Sequence, residues 1–201
     1  MISVILDNGH GSDTAGKCSP DNRLSEDKYC REIVRRISAK LEDEGIPYHV
    51  LVPEEEDISL AERCRRANTY HIEQCGEGND TILISVHNNA AGKGGKWCTA
   101  SGWTAWVCEK ASANSIKLAQ LLYAECEKLK LAGNRYVPNE KYWSANFYLL
   151  KHTMMPAVLT ENLFQDNKEE VDWMLTEEGM DTLATLHVEG IKAYINEQNS
   201  K

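Results

Sequence analysis

Short apolar runs alternate along this chain with longer stretches of helical period, and few folds accept that order. Ile2 to Leu6 and Thr81 to Val86 are apolar with almost no inside–outside alternation. That is the pattern of strands covered on both faces. Tyr48 to Val52, Trp103 to Cys108, Phe147 to Leu150 and Ala157 to Thr160 read as further strands. Between them lie amphipathic segments. Ser25 to Glu44 carries the stripe Cys30, Ile33, Ile37 and Leu41 and stops at Gly45, a glycine stop signal. A second helix follows Ser59, whose spacing to Glu62 makes a capping box, and carries Leu60, Cys64, Ala67 and His71. Helices are also expected over Ala113 to Leu131, from about Lys168 and from about Glu177. Ala90 to Gly102 and Gly133 to Ser144 read as loops. Strands alternating with helices predict an α/β fold with a twisted, mostly parallel sheet flanked by helices. No repeat or linker divides the 201 residues, so residues 1–201 are expected to form a single domain.

Composition narrows the partners. A net charge of −9 argues against a nucleic-acid surface. No apolar stretch approaches the length of a membrane span, so no membrane insertion is expected. The seven cysteines are odd in number and contain no C-x-x-C pair. They read as reduced structural thiols, which suggests folding in a reducing cytoplasm. Ile2 to Leu6 is too short for a secretory leader and lacks a basic flank. The expectation is a chain made in the cytoplasm without a signal peptide, the alternative being a mature periplasmic or extracellular form already trimmed. The charged face "REIVRRISAKLEDE" is ordinary solvated surface and calls for no partner; a monomer is expected.

In open α/β sheets, sites form beyond the carboxyl ends of the strands. Three polar groups emerge there: His10 after the first strand, His87 after the third, and Glu161 after the strand ending at Thr160. Glu26 lies just inside the long first helix, on the same face as Cys30, Ile33 and Ile37. An inward carboxylate needs a partner. Two histidines and a carboxylate make a His₂Glu set of the kind that binds Zn²⁺ and leaves a fourth position open. Such an ion lowers the pKa of water to about 7. A second carboxylate can then move that proton, and Glu161 is placed for it. Taken singly, a histidine between two glycines is more often turn filler than a ligand.

Five stretches together resemble the zinc-dependent N-acetylmuramoyl-L-alanine amidases of the Amidase_3 type, found among bacterial cell-wall hydrolases and phage endolysins. "ILDNGHGSD" is similar to the opening D-P-G-H-G-G of that family, and "SEDKYCREI" to its E-K helix start. "SLAERCRRAN" resembles S-L-x-x-R-x-x-x-A-N, and "LISVHNNA" resembles S-I/L-H-x-N-A. "MPAVLTENLFQDN" is similar to P-A/S-V/I-L-x-E-x-G-F-x-S/T-N. The resemblance runs nearly end to end. It implies His10, Glu26 and His87 as ligands of one zinc ion, and Glu161 as the catalytic base and then acid. It implies peptidoglycan as the substrate, cut between the lactyl group of N-acetylmuramic acid and L-alanine of the stem peptide. Asn8 departs from the proline of the pattern, Asn88 from an alanine or cysteine, and Leu163 from a glycine. These departures bear on the rim of the site, not on the ligands. A phage or prophage lysin acting on the cell wall is the expected setting. Two other readings stay open: a zinc peptidase acting within the stem peptide, and a non-catalytic wall-binding protein of the same fold.

Asn88 and Arg135 are candidate substrate-binding residues; arginine suits peptide carboxylates. Trp97, Trp103, Trp106, Tyr142 and Trp143 cluster near the two middle loops, where a sugar-binding role competes with burial. His49, His71 and His187 read as structural, whereas His152 could border the cleft.

Overall fold

The computed structural model describes residues 1–200. Its elements are β1 (Ile2–Asn8), α1 (Glu26–Asp43), β2 (Tyr48–Val50), α2 (Leu60–Gly76), β3 (Asp80–Asn89) and β4 (Thr104–Val107). They continue with α3 (Ala113–Lys128), β5 (Trp143–Ser144), α4 (Tyr148–His152), β6 (Ala157–Phe164), α5 (Lys168–Met174) and α6 (Glu177–Asn199). The strands form one sheet in the order β2-β1-β3-β6-β4-β5. β2, β1, β3 and β6 are mutually parallel. β4 is antiparallel to β6, and β5 runs parallel to β4. The expected α/β sheet, mostly parallel and flanked by helices, is the one observed.

The sheet separates two cores, which explains why its central strands carry so few polar residues. Val4, Leu6, Ile82, Ile84, Val86 and Val158 pack with the inward residues of α1, α3 and α6. Their neighbours in sequence, Ile5, Leu83 and Leu159, pack on the other face with Cys64 and Ala67 of α2 and Leu149 and Leu150 of α4. Successive residues of a strand point to opposite faces, so a strand covered on both sides reads as a continuous apolar run. The helices start sharply where short polar side chains take up free backbone N–H groups. Ser59 accepts from Glu62 at 3.3 Å, Ser112 from Ser115 at 3.1 Å and Thr176 from Gly179 at 3.0 Å. Cys30, Cys64 and Cys126 are buried on their stripes, and all seven thiols are free. Among the described residues no helix is long and apolar enough to cross a membrane.

Two local expectations are corrected. Phe147 to Leu150 is not a strand: Tyr148–His152 is a short helix that lays Leu149 and Leu150 on the second core. A four-residue apolar run has too little length to show its period. The loop after Gly133 also contains a two-residue strand, β5, at the sheet edge beside Trp106 and Val107.

His187 illustrates how a titratable group is held inside. It is fully buried on α6, with Nδ1 donating to the Leu183 carbonyl at 2.7 Å and Nε2 2.9 Å from the Thr160 hydroxyl. Burial pushes its pKa down from 6.5 to about 4. The unfolded chain therefore binds more protons than the folded one between those values, and stability falls as pH drops from about 6.5 towards 4. At pH 5 the expected loss is about 2 kcal/mol relative to pH 8. Denaturant unfolding of wild type and His187→Gln at both pH values checks this: the substituted protein should lose that share of the pH dependence.

Candidate active site

Three side chains of metal-ligating type meet at the carboxyl edge of the sheet. His10 lies two residues beyond β1, Glu26 opens α1, and His87 stands near the end of β3. Glu26 Oε1 is 3.3 Å from His10 Nε2 and 3.2 Å from His87 Nδ1. One ligand atom from each residue lies within 4.8 Å of the others. The two rings meet edge to face with centroids 5.0 Å apart. Glu26 is 1% exposed, and the same Oε1 accepts from the Asn88 backbone N–H at 3.0 Å. Its Oε2 is buried without a hydrogen-bond partner. Burial alone would raise the pKa of Glu26, but its contacts with His10 and His87 hold it well below the usual carboxylate range. His87 responds in the opposite sense: burial would lower it, and Glu26 raises it.

Backbone geometry aims these groups. His10 takes φ +63°, the left-handed region, which few residues other than glycine adopt. The glycines on either side serve another purpose. A Cβ on Gly9 would fall 2.4 Å from the His87 ring, and one on Gly11 would fall 2.0 Å from the Asp57 backbone nitrogen. Gly9 thus lets the two imidazoles approach, and Gly11 lets the loop before α2 close over the turn.

A fourth polar group completes the row. Glu161 is the register partner of His87 on the adjacent strand β6, so the two side chains stand on one face about 4.8 Å apart at the backbone. β3 and β6 both run on past these residues, with a register shift between His87 and Asn89. Leu163, at φ +64°, lies in this irregular stretch, which accounts for a pattern that favours glycine there. Glu161 Oε2 is buried without a hydrogen-bond partner. Burial pushes its pKa up to about 7, with His87, Lys17 and Arg135 opposing and Glu26 reinforcing the shift. The two carboxylates are therefore driven apart: Glu26 is held ionised and Glu161 stands near neutrality. Divergence of that kind marks separate roles for paired carboxyl groups.

A cleft of about 410 Å³ opens from this row towards α2 and α4. His10, His87 and Glu161 line its polar end, and Ile58, Leu60, Phe147, Tyr148 and Leu159 form an apolar wall. Its floor contains Asp7, 1% exposed, which accepts from Ser85 at 2.5 Å and from Arg63 at 2.7 Å. Asp7 falls on the D of D-P-G-H-G-G and Arg63 on the R of S-L-x-x-R-x-x-x-A-N, but the sequence assigns neither a role. The signal for Arg63 is an arginine placed between Leu60 and Ala67 at helical spacing, on the inward side of α2.

Other expectations resolve differently. Asn88 is turned to the opposite sheet face, where its amide donates to the Asn162 carbonyl at 2.6 Å and accepts from the Cys30 thiol. Strand alternation forces this, because neighbouring His87 faces the cleft, and Asn88 is 4% exposed and not among the cleft-lining residues. Arg135 lies over the rings of Phe164 at 5.4 Å and Trp143 at 5.9 Å, on the rim beyond β6. Trp103 is fully buried and donates to Asn162 at 2.8 Å, so it is core. Trp97 and Tyr136 remain exposed. His152 is stacked on Tyr148 and bonded to its carbonyl, outside the cleft lining. Nothing in the structure explains the Asn8 side-chain amide, which is buried without a partner.

A parallel α/β sheet presenting a His–Glu–His cluster and a second, near-neutral carboxyl group is an arrangement of the metallohydrolase type. The chain belongs to the N-acetylmuramoyl-L-alanine amidase family, whose model matches residues 4–193. It is 31% identical over 200 residues to an endolysin of Bacillus phage SPP1, across 96% of this chain and 66% of that protein. It is 26% identical to the N-acetylmuramoyl-L-alanine amidase CwlM of Bacillus licheniformis, across 98% of this chain and 70% of CwlM. The crystal structure of an N-acetylmuramoyl-L-alanine amidase from Clostridium difficile 630 superposes with a TM-score of 0.82 at 27% identity, covering 96% of each chain.

Proposed function

We propose that this chain hydrolyses the amide bond joining the lactyl group of N-acetylmuramic acid to L-alanine of the stem peptide in peptidoglycan. The observation that carries the reading is the convergence of His10, Glu26 and His87 within 4.8 Å of one another, with Glu161 beside them. The family and the likeness to a phage endolysin and a bacterial amidase support the substrate and a wall-lytic, phage-type setting.

The donor set fits a single zinc ion. Tetrahedral ligation with bonds near 2.0–2.1 Å separates ligand atoms by roughly 3.3 Å, and the two contacts of Glu26 are 3.2 and 3.3 Å. Its Oε2 accepts no hydrogen bond and faces the Lys17 ammonium at 3.9 Å, while the contacts with His10 and His87 keep the carboxylate ionised, the form a metal ligand needs. The chemistry supplied by zinc when bound is that of a Lewis acid: polarisation of the scissile carbonyl and acidification of water. His10, Glu26 and His87 would hold it. Glu161 takes the proton of the attacking water and returns it to the departing amine nitrogen of L-alanine. Burial raises the pKa of this carboxyl group in the metal-free protein, which favours its holding the proton between the two transfers. Ile58, Leu60, Phe147, Tyr148 and Leu159 give the cleft an apolar wall, and Arg135, whose charge acts on Glu161, is the candidate partner for a stem-peptide carboxylate.

Digestion of purified peptidoglycan provides the test. Mass spectrometry should show unmodified N-acetylmuramic acid and stem peptides with a free L-alanine amino terminus. Free D-amino-acid termini would instead assign a peptidase acting within the stem, and an absence of products would leave a wall-binding protein.

A further inference from the structure

We propose that Arg63 is the positioning residue that holds His10 in its ligand geometry. The inference rests on the reading of His10 as a metal ligand. Arg63 is 2% exposed, and all five N–H donors of its guanidinium are used. Nε donates to the Ile58 carbonyl at 2.7 Å. One terminal nitrogen, Nη1, donates to Asp7 at 2.7 Å and to the Asn8 carbonyl at 2.6 Å. The other, Nη2, donates to the His10 carbonyl at 3.2 Å and to Asp57 at 3.0 Å. One rigid planar group therefore grips the peptide before Gly9 and the peptide after His10.

That grip falls where the backbone is least able to hold itself. His10 stands at φ +63°, a conformation that persists only where the surroundings over-determine it. The remaining contacts of the turn converge on the same loop. Gly11 N–H donates to Thr14 at 3.1 Å, Thr14 donates to Asp57 at 2.9 Å, and Asp57 N–H donates to Asp13 at 2.7 Å. Arg63 ties this loop to the end of β1 through the buried Asp7. Arg31 reaches the same His10 carbonyl at 3.4 Å, a longer contact from a partly exposed side chain. Lysine at position 63 could keep the charge beside Asp7. Its single ammonium nitrogen cannot stand in the places of both Nη1 and Nη2, from which Arg63 reaches the Asn8 and His10 carbonyls separately.

Cobalt(II) substitution tests the assignment, because its visible absorption reports ligand geometry independently of turnover. Wild type should bind Co²⁺ with a tetrahedral spectrum, and His10→Ala should lose it. Arg63→Lys is expected to bind Co²⁺ about 10- to 100-fold more weakly, the range for groups that orient a ligand, with altered band positions. The pair Asp7→Asn, Arg63→Met removes the buried charge with its partner and should behave alike. Ile191→Ala, a cavity in the core on the other face of the sheet, should lower thermal stability without moving the spectrum. Either folded Arg63 variant with wild-type affinity and spectrum overturns the proposal. Failure of both to fold also overturns it, by assigning Arg63 to the fold. If wild type binds no Co²⁺, or His10→Ala binds it unchanged, the metal-site reading itself falls and the proposal with it.

Discussion

Replacing Glu161 with alanine should lower turnover on muropeptides by about 10²-fold or more while leaving the bound zinc in place. The two halves of that result have separate causes. Glu161 is outside the group of mutually close ligand atoms, which His10, Glu26 and His87 make up. Its removal therefore takes nothing from the donor set. What it does remove is the one near-neutral carboxyl group lining the polar end of the cleft. Glu161→Gln sharpens the test, since it keeps shape and polarity and loses only the carboxyl group's ability to take up and release a proton. Both substitutions should be equally inactive. Activity retained in the glutamine protein would overturn proton transfer as the role. Stability supplies an independent readout in metal-free protein. The folded pKa of about 7 lies above the ordinary 4.5, so ionisation weakens the fold increasingly as pH rises between those values. At pH 8 the glutamine protein should unfold at the same denaturant concentration as wild type or a higher one.

His10→Ala is expected to lose metal and activity together, with affinity falling by more than the roughly 100-fold that marks the loss of an outer partner. Two donors would remain where three converge. Glu26, held ionised by its contacts with both imidazoles, would keep one imidazole, His87, beside the Asn88 N–H and Lys17. His10→Gly separates ligand loss from backbone strain, because glycine takes φ +63° without cost. It should stay within about 1 kcal/mol of wild-type stability and yet be as metal-poor as the alanine protein. Metal analysis after dialysis reads the outcome directly: full zinc in either protein would refute the assignment of His10.

Much of the candidate site was legible because its residues stand at the ends of elements whose pattern is unambiguous. A run such as Ile2 to Leu6, short, apolar at every position but one and closed by the turn signal Asn8-Gly9, reads as a strand covered on both sides. The residue that follows its end is thereby brought to the carboxyl edge of the sheet. His87 and Glu161 are reached by the same reasoning, although β3 and β6 run two and three residues past them, and Glu26 by its place on the stripe of Cys30, Ile33 and Ile37. Asn88 lies on the opposite sheet face for a reason equally physical: the period of a strand sends adjacent side chains to opposite faces, so the neighbour of His87 points away from the cleft. Trp103 was ambiguous because burial and sugar stacking use the same side chain. Phe147 to Leu150 was too short to reveal its period.

The sequence by itself determined most of the order of strands and helices, though not the short helix α4 or the two-residue strand β5, together with the two-sided burial of the central strands and the four polar residues expected at one edge. These are local consequences of apolar periodicity and capping. Only the tertiary structure decided how those residues meet. The contacts that do so join positions far apart in the chain, as when Arg63 spans the Asn8 and His10 carbonyls or Glu26 bridges His10 and His87. The opposed ionisation of Glu26 and Glu161 is likewise a property of depth and neighbours, which no run of letters contains. The same holds for the turn itself. Glycines flanking a histidine suggest that they supply the bend, yet it is His10 that takes the left-handed conformation. Gly9 and Gly11 are required by what packs against them, the ring of His87 and the backbone of Asp57.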